Sequence, residues 1–204
     1  RRGRYLGTDG IDDGKVYVVF DDQEAASIAE REGIVDKDIL KSVVELPEIE
    51  VRQEMLKVLE KDREDCYREY GGVYGRSEND DKQIVIWAEP GEPGDPTREG
   101  SIGINVFNSK RLAELHSLEG TFHSHPSGVG YREKGGKIVP HGFAQPPSPR
   151  DIENAASREK LFGVRLYNYV IAAREMQVYI YTSQGVLGSM DVDAFRNLGS
   201  YLKR

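Results

Sequence analysis

Short β-branched or aromatic runs alternate with helical segments along this sequence, so both strands and helices must share one core. Val16–Phe20 is a brief apolar run, and Glu24–Arg31, with its alanines and Ile28, suits a helix. From Pro47 to Tyr70, Val51, Met55, Val58, Leu59, Cys66 and Tyr70 recur near helical spacing among charged residues, which predicts one long amphipathic helix. Gly71-Gly72 ends it, and Val73–Gly75 with Gln83–Ala88 predicts a hairpin. Pro90–Gly100 is expected to be a loop, Ser101–Phe107 a strand, Ser109–Ser117 a short helix and Gly120–His125 another strand. Pro126–Pro149 is rich in glycine and proline and is expected to be a long loop rather than an element, of the kind that is usually functional or mobile. A helix over Asp151–Lys160, strands over Val164–Ala172, Met176–Thr182 and Val186–Met190, and a closing helix over Asp191–Leu202 complete the reading.

Composition narrows the function classes. The chain has 204 residues, enough for one domain with a small appendage. A net charge of −7 argues against a duplex-binding surface, which needs clustered Lys and Arg to neutralise phosphates, so no nucleic acid is expected. The single cysteine, Cys66, excludes both an internal disulfide and a zinc ribbon, which makes a cytoplasmic compartment the default. No apolar run approaches the ~18 residues of a membrane span, and Arg1–Gly14 has no signal-peptide core. A chain that begins without Met is expected to be a trimmed fragment.

The chemistry concentrates at His123-Ser124-His125-Pro126, at the end of an expected strand. Positions i and i+2 share a strand face with Cα atoms roughly 6.6 Å apart, so two imidazoles can converge on one metal. Taken alone, such a pair is as readily an exposed polar strand end. Ser148-Pro149-Arg150-Asp151 is a good helix start, with Ser as N-cap, Pro at the first position and an acid at the third. The same geometry fixes Asp151 rigidly enough to serve as a third ligand, with the Ser148 hydroxyl nearby. Two His and one carboxylate leave a coordination position open to water, as in catalytic rather than structural zinc. A proton acceptor outside the metal ligands is then required. Glu69 is the candidate because it stands at the junction with Gly71-Gly72, where glycines permit close approach of backbone.

Glu69-Tyr70-Gly71-Gly72, His123-Ser124-His125-Pro126 and Ser148-x-x-Asp151 together resemble the JAMM (JAB/MPN+) metalloprotease signature, in the Glu-x-Gly-Gly form of prokaryotic JAB-domain proteins. The resemblance covers Pro47 to the C-terminus. It implies a three-layer α/β/α, cytidine-deaminase-like JAB/MPN core with a mixed sheet, spanning 47–204, preceded by an N-terminal extension over 1–46. It also implies Zn2+ held by His123, His125 and Asp151, with Glu69 as general acid/base and Ser148 stabilising the oxyanion. The implied activity is hydrolysis of a peptide or isopeptide bond in a protein or peptide substrate, after the tail of a ubiquitin-like or other carrier protein. A RadC-like protein and a catalytically silent MPN-type scaffold are the competing readings; silent relatives usually lose ligands, and this chain keeps them. One departure is the 22 residues between His125 and Ser148, a much longer connection than relatives use. Its basic residues Arg132, Lys134 and Lys137 could meet an acidic partner, whereas His141 within it is expected to be solvated and Cys66 to be a small buried hydrophobe.

Overall fold

A computed structural model describes residues 15–30, 42–98 and 100–200. The first strand, β1 (Tyr17–Val19), is followed by α1 (Asp22–Glu30) and pairs antiparallel with β2 (Val43–Glu45). Two short helices follow, α2 (Ile49–Met55) and α3 (Val58–Glu64). The central sheet comprises β3 (Gly71–Ser77), β4 (Gln83–Trp87), β5 (Leu115–His125), β8 (Tyr167–Ala172), β9 (Gln177–Thr182) and β10 (Gly185–Asp191), in the order β10-β9-β8-β5-β3-β4. Between β5 and β8 the chain forms a separate hairpin, β6 (Val129–Lys134) with β7 (Lys137–Gly142), and then α4 (Pro149–Phe162). A last helix, α5 (Val192–Asn197), follows β10.

The protein is therefore mixed α/β with a mixed sheet. β5 and β8 are parallel and the other neighbours antiparallel, because β5 reaches β8 through the crossover that carries α4, as a parallel pair requires. Alternation along the strands separates two faces. Tyr74, Phe122, Tyr169, Ile171, Val178 and Ile180 point to one, where they form the main core with Val51, Met55, Val58 and Leu59 of α2 and α3 and Phe195 of α5. Thr121, His123 and His125 point to the other, which α4 covers through Ala155 against Val170 and Tyr181. Val44 and Leu46, assigned by sequence to an N-terminal extension ending at 46, belong to the main core. Residues 1–14 and 31–41 of that segment, and 201–204 at the end of the expected closing helix, lie outside the described residues. No helix among the described residues is long and apolar enough to cross a membrane.

Four expectations are corrected. The helix over Pro47–Tyr70 is two helices joined at Leu56 and Lys57, where Lys57 N–H donates to Glu54 O and Leu59 N–H to Leu56 O. Helix α3 stops at Glu64 because Asp65 turns extended and its carboxylate accepts the Tyr67 N–H at 3.1 Å, a side-chain bond that competes with helix continuation. Glu69 thus lies on an extended approach to β3, and Cys66 is half-buried in a turn. Ser101–Phe107 forms no strand, since Asn105 closes a turn by accepting the Phe107 N–H at 3.1 Å. The helix over Ser109–Ser117 reduces to a 3-10 turn, Leu112–Glu114, before β5 begins. The expected loop Pro126–Pro149 contains the β6–β7 hairpin, turned at Gly135 and Gly136 with φ of +61° and +74°. Two consecutive positive φ values characterise the two-residue turn whose twist suits a hairpin, and glycine adopts them without strain.

Candidate metal centre

Strand β5 places His123 and His125 on the α4 side of the sheet, with relative exposures of 4 % and 6 %. Their Nε2 atoms are 3.2 Å apart. His125 Nδ1 faces the backbone carbonyl of Gln145 at 3.1 Å. A carbonyl only accepts, so Nδ1 carries the proton and the Nε2 lone pair is left facing the cluster. Gln145 is itself buried; its amide donates to Pro126 O at 3.0 Å and Phe143 O at 3.2 Å, and its Oε1 accepts the Arg174 N–H at 2.9 Å.

Asp151 reaches the pair from the first turn of α4. Its Oδ1 lies 3.3 Å from His123 Nε2 and its Oδ2 lies 3.5 Å from His125 Nε2. The sequence-expected cap is present as a full capping box: Ser148 donates to Asp151 Oδ2 from its N–H at 2.7 Å and its hydroxyl at 2.6 Å, and the Asp151 N–H returns to Ser148 Oγ at 3.3 Å.

Glu69 arrives along the strand edge. Tyr70 and Ser124 exchange two bonds, Ser124 N–H to Tyr70 O at 2.7 Å and Tyr70 N–H to Ser124 Oγ at 3.0 Å, while Gly91 N–H holds Glu69 O at 2.9 Å. Gly71 sits opposite His123 in the register, and a Cβ there would lie 2.2 Å from Phe122 O and 2.8 Å from His123 Cβ. Only glycine lets β3 approach β5 this closely. Glu69 is 5 % exposed, and its Oε1 is 3.9 Å from His125 Nε2.

The donor set fits a metal. The ligating atoms of Glu69, His123 and His125 all lie within 4.8 Å of one another in a buried cluster. That mutual-distance set contains Glu69 and leaves out Asp151, but the pairwise contacts rank the two differently. Donors about 2.0–2.1 Å from a tetrahedral centre lie roughly 3.3–3.4 Å apart. The two Nε2 atoms are 3.2 Å apart and Asp151 offers Oδ1 at 3.3 Å from His123 and Oδ2 at 3.5 Å from His125, whereas Glu69 at 3.9 Å from His125 stands slightly outside. The chemistry of the set, two imidazoles and one carboxylate, matches a catalytic divalent site better than a structural one.

The charges reinforce each other. Burial would raise Asp151, but its contacts with the His123 and His125 imidazoles and the hydrogen bond from Ser148 outweigh it and hold the carboxyl far below the usual range. Burial would lower His123, yet the hydrogen bond and charge of Asp151, with the charge of Glu69, raise it. Burial pushes Glu69 up, against the pull of both imidazoles.

All five sequence-expected residues, Glu69, His123, His125, Ser148 and Asp151, therefore meet in one place, although three separate segments supply them. His141 is not simply solvated: its Nδ1 contacts Pro96 O at 2.5 Å and ties β7 to the loop after β4. Three supporting residues escaped the sequence reading. Besides Gln145 and Ser124, the buried Asp62 of α3 accepts from Ser127 N–H at 2.9 Å and Ser127 Oγ at 2.6 Å, anchoring the chain as it leaves His125-Pro126. Nothing in the sequence singles out a buried Asp on a charged helix.

The chain matches no family model, and no curated protein or solved structure matches it.

Proposed function

We propose that this protein is a zinc-dependent metallopeptidase of the JAMM (JAB/MPN+) type on a JAB/MPN core, hydrolysing a peptide or isopeptide bond after the tail of a ubiquitin-like or other carrier protein. The observation that carries the reading is the convergence of His123, His125 and Asp151, with nearest donor separations of 3.2–3.5 Å, and a buried glutamate just beyond them. Zinc bound by these three residues would supply a Lewis acid and lower the pKa of bound water to about 7.

The remaining work falls to the chain. Glu69 accepts a proton from the attacking water and delivers it to the leaving amine. Its burial raises its proton affinity toward the working pH, which suits one group to both transfers. Gln145 fixes the tautomer and ring orientation of His125. Ser148 holds Asp151 and brings a hydroxyl to the side of the cluster where the carbonyl oxygen would develop charge.

Metal analysis of the purified protein, followed by hydrolysis assays on carrier-protein fusions and short peptides, tests the reading. Stoichiometric zinc with chelator-sensitive cleavage is expected. A protein that binds no divalent metal, or that cleaves equally well without one, is not this enzyme.

A further inference from the structure

Two part-buried or buried arginines are treated differently by this fold. Arg52 of α2 is 1 % exposed and donates to the backbone carbonyls of Pro47, Phe195 and Leu198. Its guanidinium is satisfied by fixed structure. Arg158 of α4 donates in ordinary geometry, among the described residues, only to the Thr121 hydroxyl at 3.2 Å, has the Tyr181 hydroxyl in looser contact, and otherwise lies over the Phe107 ring at 5.4 Å. The Thr121 hydroxyl spends its own proton on Asn168 Oδ1 at 2.7 Å. No carboxylate of the described residues lies within ion-pair distance of Arg158. A guanidinium is a planar fork of donors that never loses its charge under ordinary conditions, so most of its hydrogen-bonding capacity here is unused.

The surroundings are also polar and short of partners. Thr121, Asn168 and Tyr181 are register neighbours across β5, β8 and β9, forming one polar row on the α4 side of the sheet. Tyr181 is fully buried, and its hydroxyl makes no hydrogen bond of ordinary length and angle. Buried polar groups are nearly always paired, so an unsatisfied hydroxyl beside a guanidinium whose fork is mostly unused points to a missing acceptor. This row lies one side-chain step, roughly 6.6 Å, below the row that carries His123. Along α4, Asp151 and Arg158 are i and i+7, on the same helix face and about 10.5 Å apart along the axis. The helix thus brings Asp151 to the histidines and Arg158 to the polar row beneath them.

We propose that Arg158, with the Tyr181 hydroxyl, is a carboxylate subsite that receives the free C-terminus of the substrate, so that cleavage removes only one or two residues. The offset of about 7–10 Å between subsite and metal cluster corresponds to one or two extended residues beyond the reacting carbonyl. The inference rests on the peptidase reading and narrows it, favouring trimming of a short C-terminal extension over release of a folded protein from a lysine. Arg158 is only part-buried, so one side of the guanidinium is open to an incoming ligand. An acidic acceptor is what that geometry lacks, and a carboxylate supplies two oxygens matched to the fork.

The test is direct binding of N-acetyl-glycylglycine and of its C-terminal amide to the zinc-loaded full chain by calorimetry and NMR, at fixed salt. The two probes differ only at one end, a carboxylate in one and a neutral amide in the other. Wild type should bind the acid at least about tenfold tighter than the amide, and R158Q should bring that ratio to about one, since a charge-assisted fork is worth about that much. R150Q, which changes the exposed arginine near the cluster, should leave the ratio intact. R158Q separates the subsite, which predicts loss of the ratio, from ligation of the carboxylate by the metal, which predicts its retention, and R150Q controls for removal of nearby positive charge. If R158Q does not fold, R158M keeps the stem packing on Phe107, and the Arg158 side-chain NMR signal of wild type should shift with the acid and not with the amide. Equal affinities in wild type, a full ratio in the Arg158 variants, or loss of the ratio in R150Q overturns the proposal. Preference for the acid without hydrolysis of any peptide leaves the subsite and removes the peptidase. Hydrolysis that treats acid and amide alike removes the subsite and leaves the peptidase.

Discussion

Ser148 and Asp151 hold each other by three hydrogen bonds that use a side chain, two of which end on the same oxygen, Asp151 Oδ2, at 2.6 and 2.7 Å. Oδ1 is left as the oxygen that faces His123. One helix cap therefore selects which lone pairs of a carboxylate remain for a ligand, and the Ser148 hydroxyl must turn from Asp151 before its proton can reach an oxyanion.

Ser148→Ala should accordingly weaken two functions. Removing the hydroxyl costs an alignment bond to a ligating carboxylate, worth about tenfold in metal affinity, while the backbone bond persists. Loss of an oxyanion donor should add roughly 3–4 kcal/mol to the barrier. Zinc titration and kcat measured at saturating metal separate the two, and unchanged kcat in metal-saturated protein would remove Ser148 from the chemistry.

Glu69→Gln should keep zinc and lose turnover by at least about 100-fold, because the amide matches the shape of the acid and cannot carry the proton. Metal content beside single-turnover cleavage reads both. Normal hydrolysis by this variant would assign the base elsewhere.

Chelation should abolish activity and leave the fold largely in place. The main core, from Val44 to Phe195, lies on the opposite face of the sheet from the cluster and does not depend on the metal as a zinc finger does. Far-UV circular dichroism with and without chelator checks this, and global loss of structure would contradict it.

Replacing Gly128–Gly142 by a few residues should leave zinc binding intact and impair a protein substrate more than a short peptide. The hairpin presents Tyr131 and Ile138, 71 % and 77 % exposed, along with the basic residues Arg132, Lys134 and Lys137. Its root is fixed beside the cluster by Gly128 N–H to Cys66 O at 2.9 Å. Comparison of kcat/KM for the two substrate sizes decides it; equal effects would make the hairpin irrelevant to recognition.

Glu119 gives a pH prediction away from the metal. Burial raises its folded-state pKa despite Arg76 at 3.1 Å and the Gln83 amide. A raised carboxyl stabilises the fold below its unfolded value, near 4.3, and that contribution is lost as pH rises through the folded value. Glu119→Gln does not titrate, so its Tm relative to wild type should climb between about pH 4 and pH 7. A flat difference would show that Glu119 ionises as freely in the folded protein as in the unfolded chain.

Much of this was legible from residue order, because certain local signals coincide with what the tertiary structure needs. Ser148-Pro149-x-Asp151 is both a helix start and the turn that brings Asp151 to the two histidines, and the β-branched runs of β8 and β9 are strands in any context that buries them. The failures are equally physical. Apolar spacing continued through Cys66 and Tyr70, yet Asp65 offered the backbone a competing bond and ended α3. Gly135-Gly136 between Tyr131–Lys134 and Lys137–Val139 was itself a hairpin signal, masked by the prolines around it. Gln145 and Asp62 act through one buried contact each, and a single long-range hydrogen bond leaves no periodic trace.

The parallel pairing of β5 with β8 also orders events in time. His123 and His125 share one strand, but Asp151 takes its place only when the chain has completed the crossover through the β6–β7 hairpin and α4, and Glu69 only when β3 docks on the other side. Contacts so distant in sequence form late, because loop closure must precede them. On the proposed reading, a nascent or partly folded chain would have a pair of weak imidazoles and no complete cage, with no active hydrolase exposed to its neighbours. Metal capture would then be a readout that assembly has finished.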